Sequence, residues 1–175
     1  MTPADVKKRD EMKVFNAFAE LCPLKIDPGS AYNEDPPLPD ISCRIDGQPH
    51  HFELGRVLDR NMAQRRARTM KTRVITGGAF SQDGPLIRIL EQKAAKTYPV
   101  RKESLDLLIY YDEQVPLPEA LFPETRGRLL VLVQNMTLFG QFNRIWFYDH
   151  PQRRILGFHP ATHGFSDGWS ITEPS

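Results

Sequence analysis

Asp40-Ile-Ser-Cys-Arg-Ile-Asp-Gly-Gln-Pro-His-His-Phe-Glu-Leu-Gly55 alternates apolar and polar residues on both sides of Asp46-Gly47, a dipeptide suited to the positive-φ positions of a tight hairpin turn. A two-residue turn there sets the register: Ile45 faces Gln48, Ser42 faces His51, and Asp40 stands opposite Glu53 on one face. Ile41, Cys43, Ile45, Phe52 and Leu54 share the core face, whereas Asp40, Ser42, Arg44, His51 and Glu53 share the other. A four-residue turn on the same pair keeps this register; an odd-length loop or a bulge breaks it. Two carboxylates opposed across a strand pair repel each other unless a cation sits between them. They read either as two solvated surface acids or as a site for Mg²⁺, which accepts one or two carboxylates together with waters and phosphate oxygens.

Upstream, the spacing predicts a helix from Pro3 to Leu21, with Thr2 as N-cap, Pro3 at the first helical position and Asp5 facing the helix dipole. Val14, Phe15, Phe18, Leu21 and Cys22 make its apolar face, and residues 27–39, rich in Asp, Pro, Gly, Ser and Asn, read as a loop. Downstream, a second helix spans Pro85 to Tyr98, with Leu86, Ile89, Leu90 and Ala94 as its buried stripe. Leu105 to Tyr111 and Leu129 to Val133 are apolar runs that read as strands buried on two faces and central to the sheet. Ile145 to Tyr148 and Ile155 to Phe158 read as two further strands in a hairpin closed by Asp149 to Arg153. The expected fold is α/β, a mixed central sheet flanked by helices.

A chain of 175 residues fits one domain and is long enough to bury a core without disulfide or metal staples. With 40% apolar and 26% charged residues, the composition is that of a globular protein and not of a disordered one. The polar start and the lack of a run of about 18 apolar residues argue against a membrane span or a signal peptide, and predict a cytoplasmic protein. Cys22 and Cys43 have no ligand spacing and read as reduced small hydrophobes.

A net charge of only +1 means that attraction to nucleic acid has to come from local clustering. Such a cluster is present: Arg56, Arg60, Arg65, Arg66, Arg68, Lys71 and Arg73 stand against one acid, Asp59. If residues 59–72 are helical, these side chains either form a solvated face or contact backbone phosphates. Residues 74–84, with two glycine-bearing turns, read as a flexible loop. His159, His163 and Asp167 fall in a stretch that Pro160 and Gly164 mark as loop, a poor frame for metal ligands. Trp146, Phe147 and Tyr148 read as strand core, with base stacking as the other use of such residues. The glycine elbow of serine hydrolases, the phosphate loop and the dinucleotide fingerprint are all missing.

Pro39-Asp40, the hairpin, and then Glu53-Leu54-Gly55 resemble the motif of the PD-(D/E)XK, or restriction-endonuclease-like, nucleases. The resemblance implies a restriction-endonuclease-like domain over the chain and an endonuclease activity that hydrolyses phosphodiesters with Mg²⁺, for which Mn²⁺ substitutes. It implies that Asp40, Glu53 and the carbonyl of Leu54 hold the metal, and that nucleic acid is the partner. Gly55 stands where the family carries its lysine, which would share a strand face with the acid and prepare the attacking water. Some members place that lysine elsewhere. Lys93 falls between Leu86 and Ile89 on the helical wheel and points toward the sheet, where it either snorkels to water or positions the attacking water. Lys96 lies farther from the stripe, and Glu91 and Gln92 approach the same region. The family sometimes adds an acid from its first helix; Glu11 and Glu20 are the residues available and read as solvated. Gly55 favours the alternative, a nuclease-like domain without catalysis that binds nucleic acid or protein. DNA against RNA and the oligomeric state stay open, a homodimer among the options.

Overall fold

The computed structural model describes residues 1–57, 85–111, 122–159 and 169–172. Helix α1 (Pro3–Leu21) begins where expected, on a reciprocal cap: the Asp5 N–H donates to the Thr2 hydroxyl while the Asp5 carboxylate accepts from the Thr2 N–H. The hairpin of β2 (Ile41–Ile45) and β3 (Gln48–Arg56) has the expected register, with Ile45 opposite Gln48 and Ser42 opposite His51. Its turn depends on positive φ at both central residues, 50° at Asp46 and 75° at Gly47. Residues 27–39 are not wholly loop. Tyr32–Asn33 form a short edge strand, β1, paired with Ile41 and Ser42, too brief to leave an alternation in the sequence.

The chain continues through α2 (Pro85–Ala94), a 3-10 turn (Lys102–Ser104), β4 (Leu105–Tyr111), α3 (Phe122–Leu138), β5 (Arg144–Asp149), β6 (Arg154–Phe158) and β7 (Trp169–Thr172). Among the described residues, the strands form one seven-stranded mixed sheet in chain order, in which β3, β4 and β5 are parallel and the outer pairs are antiparallel. Residues 129–133, expected as a strand, belong to α3 instead. Leu129, Val133 and Met136 are buried at helical spacing while Val131 is exposed, so a short apolar run concealed a 3.6-residue period. Helix α2 is also shorter than expected and stops at Ala94. The Lys96 N–H bonds the Lys93 carbonyl, a tight closing turn, and Pro99 disfavours helical backbone at Tyr98.

β4 shows why the core has two layers. Leu105, Leu107, Ile109 and Tyr111 pack with α2 and α3, whereas Leu108 and Tyr110 pack with Val14, Phe15 and Phe18 of α1. Trp146, Phe147 and Tyr148 are buried in these layers, and Phe18 meets Trp146 and Tyr148 edge to face; they serve the core and are not a stacking surface. Cys22 and Cys43 are free thiols, and burial pushes both up to about 12, so they behave as small hydrophobes. Among the described residues, no helix is long and apolar enough to cross a membrane.

Candidate active site

At Asp40 the chain bends away from β3, and the strand ladder ends at Ile41 opposite Phe52. The Leu54 N–H therefore loses a backbone acceptor, and the Asp40 carboxylate replaces it through Oδ2 at 2.8 Å. Asp40 thus does not stand in a regular cross-strand pair with Glu53. Its side chain is locked at the corner where β2, β3, α1 and α2 meet.

Glu53 faces α2 and is 2% exposed, so it is not the solvated surface acid of the first reading, and Ser42 on the same face is also buried. Isolating a carboxylate from water is costly unless it is paired, and α2 supplies the partners. Lys93 Nζ donates to Glu53 Oε1 at 2.5 Å and lies 4.0 Å from Asp40 Oδ2. One ammonium therefore joins both acids. Lys93 does not snorkel: its side chain is 13% exposed. Lys96, the poorer candidate on the helical wheel, also reaches Glu53 Oε1, at 3.4 Å. The Tyr98 hydroxyl is buried close to the same carboxylate but has no hydrogen-bond partner among the described residues; burial first, then the Glu53 charge, pushes its phenol up.

Position 55 has no room for a lysine side chain. A Cβ on Gly55 would lie 2.6 Å from Ile109 Cδ1 and 3.1 Å from Ile89 Cδ1, so side chains from β4 and α2 already fill the volume a side chain needs. Gly55→Ala is expected to cost about 1 kcal/mol and Gly55→Lys about 3, spanning the range for overpacked cores, as read from denaturant midpoints. A midpoint for Gly55→Lys equal to the parent's would contradict this account.

Helix α1 supplies a third acid. Glu11, expected at the surface, is 5% exposed and pairs with Lys7 at 3.1 Å, and Lys7 in turn lies 3.6 Å from Asp40 Oδ1. Although burial works against its charge, Asp40 and Glu11 hold the Lys7 ammonium above its ordinary range. Burial, and then the nearby Asp40 charge, raise Glu11 above its ordinary 4.5. Just above pH 4.5 the folded chain therefore keeps a proton on Glu11 that the unfolded chain has released, and the contribution of Glu11 to stability falls as pH rises through this window. Glu11→Gln is expected to remove that fall, as read from unfolding free energies at closely spaced pH. An unchanged slope would show that other groups produce it. Glu20 lies elsewhere, paired with Arg153 at the surface.

Lys7, Glu11, Leu54, Arg56, Lys93 and Lys96 are among the residues that line an open cleft of about 510 Å³ at the carboxyl end of β3, whereas Asp40 and Glu53 are not part of its lining and meet it through Lys93. Carboxyl ends of parallel strands are the usual place for ligands in α/β sheets. Gln92 also lines the cleft, whereas Glu91 is exposed on α2. Arg60, Arg65, Arg66, Arg68, Lys71 and Arg73, together with the helix and loop expected over 59–84, lie outside the described residues, as do His163 and Asp167. Among the described residues, no three His, Cys, Asp or Glu side chains form a metal-binding group. The sequence signal for Lys93 was its place at the edge of an apolar stripe; Glu11 was one of two first-helix acids that the resemblance offered, and for Lys7 no signal short of the folded chain existed. Compared with protein-family models, with curated proteins and with solved structures, the chain finds no match, and the meaning of the site rests on its own geometry.

Proposed function

We propose that the chain is a restriction-endonuclease-like enzyme that hydrolyses phosphodiester bonds in nucleic acid with a divalent cation at Asp40 and Glu53. One observation carries the reading: a single lysine from α2 reaches both carboxylates beneath a cleft furnished with further cations. Together with the motif order, it supplies the amine that Gly55 lacks.

The donor set suits Mg²⁺ or Mn²⁺. Asp40 Oδ1 is free of the bond to Leu54, Glu53 offers a second carboxylate, and the Leu54 carbonyl projects from the same edge of β3 as the N–H that Asp40 accepts. When bound, the ion supplies positive charge to a phosphoryl oxygen as negative charge develops there. The chain's own residues do the rest. Lys93 donates to and orients the attacking water, Lys7 and Lys96 offset phosphate charge in the cleft, and Arg60, Arg65, Arg66, Arg68, Lys71 and Arg73, which follow β3 in sequence, clamp the backbone.

A second reading, a binding module without catalysis, is favoured by one feature: Glu53 is 2% exposed and already satisfied by two lysines. Labelled single- and double-stranded DNA and RNA, incubated with the chain in Mg²⁺, Mn²⁺ or chelator, separate the two. The nuclease reading expects metal-dependent cleavage that is lost in Asp40→Asn and Glu53→Ala. Cleavage persisting in both variants removes this site. Salt-sensitive binding without cleavage favours the module, and no binding at low salt ends both readings.

A further inference from the structure

We infer that Lys93 is a displaceable counter-ion: its ammonium holds the place between Asp40 and Glu53 until a divalent cation takes it, and phosphate in the cleft receives the displaced ammonium. Metal loading and nucleic-acid binding then reinforce each other. The inference rests on the divalent site proposed above.

Three observations carry it. First, Lys93 Nζ contacts Glu53 Oε1 and lies 4.0 Å from Asp40 Oδ2. A divalent ion bound by both carboxylates needs the oxygens that the ammonium engages, and two cations do not share them at contact distance. Metal binding is therefore an exchange of charge at one place. Second, Lys93 lines the cleft, so rotation about its own side-chain bonds, with α2 unmoved, carries the ammonium from the acids into the space where a phosphate would lie. Lys7 and Lys96 line that space as well, which makes it suited to an anion. Third, the buried Tyr98 hydroxyl lies close to Glu53 without a hydrogen bond of good geometry to any of the described residues. It is a donor held in reserve for Glu53, and leaves the carboxylate supported once Lys93 has gone.

The consequence is a linkage. Without nucleic acid, the metal must displace Lys93 into water; with a phosphodiester in the cleft, the displaced ammonium gains an anionic partner. Whatever the phosphate adds to metal affinity, the metal adds equally to phosphate affinity.

The test is calorimetric titration of Mn²⁺ into the metal-free full chain, alone and with a phosphorothioate oligonucleotide that keeps the backbone charge. Parent, Lys93→Met, Lys93→Gln and Lys93→Arg are compared, with circular dichroism to establish folding. The parent is expected to bind Mn²⁺ more tightly with the oligonucleotide by a factor within the usual range for coupled sites, about 5- to 150-fold. Lys93→Met and Lys93→Gln are expected to bind Mn²⁺ alone about tenfold tighter than the parent, within that same range, with a smaller gain from the oligonucleotide. Lys93→Arg is expected to return toward the parent. Affinity unchanged or weakened in both neutral variants overturns the inference. A parent that binds no Mn²⁺ overturns it together with the proposed function. Tighter binding in the neutral variants without cleavage of any nucleic acid retains the exchange and removes the nuclease.

Discussion

Asp40→Asn is expected to lower the proposed metal-dependent cleavage by about a thousandfold while leaving the fold intact. The substitution is nearly isosteric, and its amide oxygen still accepts the Leu54 N–H that Asp40 Oδ2 holds at 2.8 Å. The bend that ends β2 therefore persists. What disappears is one of the two negative charges within 4.0 Å of the Lys93 ammonium. Charge stabilisation by a bound metal contributes several kcal/mol to such reactions, and each 1.36 kcal/mol is about tenfold in rate, so losing most of it gives about three orders of magnitude. The unfolding free energy is expected to change by about 1 kcal/mol or less, because the charge removed is partly solvated and its hydrogen bond is retained. Single-turnover cleavage and denaturant unfolding on the same preparation distinguish the two effects. A variant cleaving within about tenfold of the parent, a loss of only 1.36 kcal/mol, would show that Asp40 is no metal ligand.

The largest effect on stability is expected away from the cleft, at Asp106→Ala. Asp106 is fully buried in the central parallel strand, where it accepts from Trp146 Nε1 at 2.8 Å and lies 3.3 Å from His50 Nε2 and 3.5 Å from Arg144. Its removal strands a buried indole N–H and takes from the Arg144 guanidinium its counter-charge among the described residues. Breaking a buried charge pair by deleting one member costs about 3–5 kcal/mol, a large part of the stability of a domain this size. Asp106→Asn is expected to cost less, since it keeps an acceptor for Trp146. Urea midpoints at constant m-value measure both. If Asp106→Ala lies within about 1 kcal/mol of the parent, the size of an ordinary point substitution, the three partners have found water or one another.

Local chemistry made much of the fold legible before any tertiary contact was known. Thr2, Pro3 and Asp5 place the start of α1 because capping and the helix dipole act within one turn. Asp46-Gly47 determines the register of β2 and β3 because a two-residue turn admits one pairing. The strands 105–111, 144–149 and 154–158 follow from apolar runs and turn residues. Residues 129–133 misled because five apolar residues carry no period, and only the burial of Leu129, Val133 and Met136 against the sheet reveals the helix.

By itself, then, the sequence determined the mixed α/β architecture, the hairpin and the two acids at its base. Only the tertiary structure decided that Asp40 turns in to hold the Leu54 N–H, that Gly55 is packed under Ile109 and Ile89, and that Lys93, Lys7 and Glu11 converge on the same corner. Hairpin register and helix caps arise from neighbours in the chain. The surroundings of Glu53 come from α2, some forty residues away in sequence and 2.5 Å away in space, and no local propensity encodes such a meeting. It follows from burying an acid that folding cannot leave unpaired.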